Sequence, residues 1–66
     1  MINERVPITA DGLMSVREAA DFLQVCVATI YNLCERGDLM YCKIGGARRI
    51  PRRALIELAE RNLVGA

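Results

Sequence analysis

Two short amphipathic periods, separated by only three residues, constrain this chain more than any other feature. The first opens at Ser15, with Glu18 three positions on. In such a capping box each side chain satisfies a backbone N–H that the helix start leaves open. Val16, Ala19, Ala20 and Leu23 then fall at i, i+3, i+4 and i+7, one apolar helical face, while Arg17, Asp21 and Gln24 point away. Two adjacent alanines on the inner side let a second helix approach closely. After Val25, Cys26 and Val27 a second period begins, with Ile30, Leu33 and Cys34 inward and Val27 or Tyr31 completing that face. It stops at Arg36-Gly37, because glycine takes the left-handed conformation that closes a helix. A pair of helices so closely joined is either an ordinary αα-corner or a helix-turn-helix. These two segments alone do not choose between them.

The residues after Gly37 narrow the choice. Residues 39–44 form an apolar run with Tyr41 and Ile44 at strand-favouring positions, residues 45–48 read as a turn, and Arg49-Ile50 begins a return strand that Pro51 cuts short. Gly45-Gly46 between two such runs predicts a hairpin, since glycine reaches the positive φ angles of tight turns. Pro51 suits the first turn of a last helix running to Leu63. Ala54, Leu55, Leu58, Ala59 and Leu63 would pack that helix on the other two. The expected fold is mainly α with a small β-hairpin, in the order helix, turn, helix, wing, helix: a winged helix-turn-helix over residues 13–64. Residues 1–12 lack sustained periodicity, contain Pro7 and end in Asp11-Gly12. They are expected to be a flexible arm, pinned at Val6 or Ile8, and Val64-Gly65-Ala66 at the other end is expected to fray.

Charge supplies the third constraint. The formal net charge is +1, yet Lys43, Arg48, Arg49, Arg52 and Arg53 crowd five of the nine cations, and no acid, into eleven residues. The rest of the chain is therefore acidic, and such asymmetry points to a polyanionic partner. The glycine pair makes a slim tip for close approach. Arg52 and Arg53 fall in the first turn of the last helix, where the helix dipole disfavours cations. That placement makes sense if an anion sits there, held by the open N–H groups and the arginines together. Arginine supplies four of the five charges, and its planar fork suits phosphate oxygens or a narrow minor groove. The bland alternatives are solvated arginines or pairs with Glu57 or Glu60, and for Arg49 a pair with Glu18 or Asp21.

Other functions are disfavoured. A 66-residue chain buries only about 60% of its unfolded surface, too little for a deep substrate cavity. There is no histidine, and Glu57 and Glu60 lie on one exposed helical face, so no enzyme is expected. Cys26, Cys34 and Cys42 are odd in number and lack the close pairing of a zinc site. Reduced thiols, buried or half-buried, with no metal and no cofactor, are the expectation. No run approaches the ~18 uninterrupted apolar residues of a membrane span, and the first residues lack the pattern of a signal peptide. A cytoplasmic protein is expected.

The runs EAA on helix 1, TIY on helix 2, GDL after it and GGARRIP closing the wing resemble the excisionase-type, MerR-like winged-helix DNA-binding domains, over residues 13 to about 60. The resemblance implies a small bacterial or phage architectural factor or regulator, with helix 2 in the major groove and the wing in the minor groove. Excisionases of this type assist an integrase, binding next to one another and bending the attachment site. Double-stranded DNA, adjacent copies and an integrase are thus the implied partners.

The chain departs from the family where helix 2 begins. Cys26, Val27 and Ala28 stand where a hydroxyl and then a basic residue are usual, and cysteine is a poorer N-cap than serine. Val27 either meets a thymine methyl or packs. The DNA-facing set on helix 2 is then Val27, Ala28, Thr29, Tyr31, Asn32 and Arg36. Asn32 is suited to adenine and Arg36 to phosphate or guanine, while Thr29 and Tyr31 offer hydroxyls, Tyr31 equally suiting a partly buried position. Glu35 fits near DNA only by orienting Arg36 or accepting from a cytosine. The wing set is Lys43, Gly45, Gly46, Arg48, Arg49, Arg52 and Arg53. The alternatives are a small MerR-like transcription regulator, disfavoured by the lack of a coiled coil or ligand domain after residue 63, and a protein-binding adaptor whose basic face meets an acidic partner.

Overall fold

The computed structural model describes residues 8–65. Its elements are β1 (Leu13–Ser15), α1 (Val16–Leu23), α2 (Val27–Glu35), β2 (Cys42–Ile44), β3 (Ala47–Pro51) and α3 (Arg52–Arg61). Three helices and a small antiparallel sheet make a winged helix-turn-helix, with the β2–β3 hairpin as its wing.

The helix termini follow from local chemistry. Ser15 Oγ accepts from the Glu18 N–H at 3.0 Å while Glu18 Oε1 accepts from the Ser15 N–H at 2.9 Å, the full reciprocal cap. α1 ends on Gln24, which takes the left-handed conformation at φ 58° without being glycine. The α1–α2 break is therefore made one residue earlier than Val25. Cys26 occupies the N-cap of α2 and its side chain caps nothing. At the other end Gly37, φ +81°, closes α2 with a Schellman pattern: its N–H donates to the Cys34 carbonyl and the Asp38 N–H to that of Leu33.

The sheet departs from expectation in three ways. The hairpin loop is only Gly45-Gly46, at φ +56° and +88°, because Ile44 already pairs with Ala47. Positive φ at both central residues matches the right-handed strand twist, which is why two glycines suffice. Arg48 consequently lies on a strand and not in the turn. Residues 39–41 stay outside β2: Leu39 turns into the core, and only Cys42–Ile44 pair. The third strand, β1, was not expected. Leu13, Met14 and Ser15 pair with Pro51, Ile50 and Arg49, which makes β3 the central strand. Pro51 ends that strand at φ −61°, serves as the N-cap of α3 and is fully buried. The Arg52 N–H then donates to the Gly12 carbonyl at 3.0 Å, so strand passes into helix without a loop.

One core joins all the elements. Val16, Ala19, Ala20, Ile30, Cys34, Leu39, Ile50, Ala54, Leu55 and Leu58 form it, with Ile8, Met14, Leu23, Val27 and Leu33 at its margin. Fully burying each Ile or Leu contributes about 1.5–3 kcal/mol. Ala19 and Ala20 lie among helices that their small side chains allow close. Ile8 does anchor the segment before β1, whereas Val6 lies outside the described residues. Ala59 and Leu63 do not pack as expected: both are exposed, Leu63 at 78%. α3 stops at Arg61, before the apolar stripe could continue.

Candidate nucleic-acid interface

The outward stripe of α2 is Ala28, Asn32, Glu35 and Arg36, all exposed, at the i, i+4, i+7 and i+8 spacing of one helical face. Asn32 makes no side-chain hydrogen bond to another described residue. Thr29 is half-buried, with its Oγ1 3.2 Å from Cys26 Sγ. Val27 is half-buried too and packs against the core, the contact that its apolar side chain makes here. Tyr31 sits at the edge of the stripe, 43% exposed, turned toward the wing.

Arg36 is engaged at the C-terminus of α2. Its Nε and Nη2 approach Asp38 Oδ2 at 3.1 and 2.9 Å, across Gly37. Asp38, not Glu35, is its partner. Both side chains are well exposed, so water and salt screen the pair and leave it readily exchanged for another anion.

The wing's cations divide into two groups. Arg48 donates from Nη2 to Glu35 Oε2 at 2.7 Å and lies over the rings of Tyr31 and Tyr41, at 5.1 and 4.8 Å. Arg53 pairs with Asp11. The acids thought available in α3, Glu57 and Glu60, take neither. Lys43, Arg49 and Arg52 have no carboxylate partner among the described residues. Arg49 donates to the Arg48 carbonyl at 2.9 Å and not to Glu18, whose carboxylate is already held by the Ser15 N–H, nor to Asp21. Arg52 lies over the Phe22 ring at 5.0 Å, near Met14 Sδ.

The Glu35–Arg48 and Tyr31–Arg48 contacts put the wing and the exposed side of α2 against one another. Between them and the start of α1 opens a cleft of about 420 Å³, lined by Val16, Tyr31, Lys43, Gly46, Ala47, Arg48 and Arg49. The register explains the arrangement. Lys43 pairs with Arg48, so these two share a sheet face with Ile50, and Tyr41, just before β2, lies under the Arg48 guanidinium. Tyr41 was missed by the sequence reading, which took it only as part of an apolar strand. Its two-residue offset from Lys43 is the signal, legible once the hairpin register is known.

The thiols differ in environment. Cys26 is exposed, contrary to expectation, and the hydrogen bond from Thr29 leads the groups that draw its pKa below the ordinary value. Cys34 is buried, and burial pushes its pKa up against the opposing influence of Arg48. The Arg48 guanidinium is held still more firmly in its charged form, chiefly by Glu35. No helix among the described residues is long and apolar enough to cross a membrane.

Residues 13–63 match the model of a family described as a helix-turn-helix domain. No curated protein and no solved structure matches the chain.

Proposed function

Because the chain belongs to the helix-turn-helix domain family, we propose that it binds double-stranded DNA with sequence preference, as an architectural factor of the excisionase kind. α2 enters the major groove and the wing the adjacent minor groove. The observation that carries this reading is the contact of Arg48 with Glu35 and Tyr31, since it brings a cationic hairpin alongside an exposed helix.

Roles divide along the interface. Asn32 reads a base edge through its two-point amide, flanked by the small Ala28, and Arg36 exchanges Asp38 for a phosphate or a guanine. Thr29 and Tyr31 offer hydroxyls to the backbone. Gly45 and Gly46 let the tip approach closely, with no side chain in the way. Lys43, Arg49 and Arg52 hold phosphates, joined by Arg53 when Asp11 releases it. The stripe on α2 carries little charge of its own, so affinity rests on the wing and the start of α3. One copy with so few free cations binds weakly, which favours adjacent copies on neighbouring sites and a bend between them. The excisionase role itself leans on the EAA, TIY and GGARRIP runs, with an integrase as the expected partner protein.

The test is salt dependence followed by footprinting. With three to five phosphates held, log affinity plotted against log salt should fall with a slope of about −3 to −5. Lys43→Ala should weaken all duplexes alike and shallow that slope by about 0.9. Asn32→Ala should leave the slope alone and relax preference at one base position, by about 1–3 kcal/mol. Footprints on direct repeats beside an integrase gene, with integrase-dependent excision as the readout, distinguish an excisionase from a transcription regulator. Absence of any duplex binding at low salt would favour an acidic protein as the partner.

A further inference from the structure

We propose that Arg48 is a strut that sets the separation between the wing and α2, and is not itself a contact to DNA. Its consequence for binding rests on the DNA-binding reading above; its mechanics rest on contacts within the chain.

The sheet leaves the wing needing a brace. β1 reaches β3 only over Arg49–Pro51, while β2 pairs with Ala47–Arg49. From Arg48 to the tip the hairpin therefore has two strands and no third, and an isolated two-stranded hairpin is marginal in water. Arg48 stands at the edge of that unsupported part. Its guanidinium lies over both of the chain's tyrosines, one from α2 and one from the approach to β2, and donates to Glu35 on α2 at 2.7 Å. The side chain is only 19% exposed against 65% for Glu35, and Nη1 is buried without a hydrogen-bond partner among the described residues.

A guanidinium so placed has little to give a phosphate. To reach one it would leave a charge-assisted hydrogen bond and two ring faces together. Lys43, its pair across the hairpin, is exposed and has no carboxylate partner among the described residues. The labour is thereby divided: Lys43 meets the backbone, and the rigid planar fork of Arg48 holds the wing at a fixed distance from the helix. That distance decides which spacing of major-groove and minor-groove contacts the protein accepts.

The experiment uses the full chain, a duplex selected by the wild type from a random-sequence pool, and the same duplex with one base pair inserted between the helix and wing footprints. Arg48→Lys keeps the charge but not the fork. It should lose about tenfold in affinity for the selected duplex, the scale of one charge-assisted hydrogen bond, and should no longer discriminate against the inserted base pair. Arg48→Met should behave likewise with an unchanged salt slope. Lysine restoring full affinity, or methionine shallowing the slope by about 0.9, would make Arg48 a phosphate contact and overturn the proposal. Glu35→Ala removes the acceptor and alters only an exposed residue, so the fold is not at risk. It should shift the NMR ring resonances of both Tyr31 and Tyr41, and unmoved resonances would likewise overturn the strut. A wild type that binds no duplex sinks the DNA-binding reading alone, because the tyrosine resonances still decide the strut.

Discussion

Arg53, in the first turn of α3, donates from Nη2 and Nε to the same carboxylate oxygen of Asp11, at 3.0 and 3.3 Å. One acid outside the wing thus neutralises a cation that stands at the open start of a helix. Under the proposed DNA-binding role, stability and DNA binding pull against each other at this contact. Asp11→Asn should cost stability only slightly, about 0.2–1 kcal/mol, because both side chains are partly exposed and screened. It should strengthen DNA binding at low salt and steepen the salt slope by up to about 0.9 as Arg53 becomes free. Urea midpoints and a salt titration on one duplex measure the two signs together. Weaker DNA binding by this variant would assign Asp11 to positioning Arg53 and not to masking it.

The wing's turn makes a sharper demand on stability. A Cβ at Gly45 or Gly46 would meet nothing within 4 Å, so only the backbone opposes substitution. Gly46→Ala should cost about 1–2 kcal/mol, the strain of a left-handed residue with a Cβ. Gly45→Asn should cost clearly less, since asparagine tolerates that conformation. Chemical denaturation of the two variants side by side would show the difference, and equal costs would mean that asparagine gains nothing from its tolerance of the left-handed conformation here.

The N-cap of α2 can be improved. Ser15 shows what a hydroxyl does at such a position, accepting from the N–H three residues on, whereas Cys26 caps nothing. Cys26→Ser should therefore add about 1 kcal/mol to stability. Thermal denaturation would register it as a higher Tm. No gain would mean that the Cys26–Thr29 contact already holds the first turn.

The two shifted thiols predict opposite behaviour. Cys26, exposed and with its pKa lowered by the Thr29 hydrogen bond, should react first with a thiol reagent at neutral pH. Cys34 should react last, its pKa raised by burial. For Cys34 the sign with pH is fixed by that direction. The unfolded thiol ionises near its ordinary value of 9.0 while the folded one resists, so the contribution is intact below that pH and is lost as pH rises through the raised folded value. Cys34→Ala should flatten the alkaline fall in stability. An unchanged alkaline limb would assign that fall to other groups.

Where the sequence succeeds and where it fails is decided by the range of the interaction. The Ser15–Glu18 box, the apolar stripe of α1, the left-handed Gly37 and the Gly45-Gly46 hairpin are local, each set by residues within a few positions. They were legible, and with the charge asymmetry and the motif runs they pointed to a winged helix-turn-helix. β1 escaped notice because three residues show no period, and its pairing with Arg49–Pro51 is long-range. The partners of the arginines escaped for the same reason. Composition tells that cations and acids are present, but only the packed chain decides that Arg48 meets Glu35 and two tyrosines, that Arg53 meets Asp11, and that Lys43, Arg49 and Arg52 have no carboxylate among the described residues. Backbone propensities act over a turn of helix or a hairpin, and the sequence alone determines them. Ion pairs and sheet edges join distant segments at distances of a few ångströms, and those are settled only when the core brings the segments together.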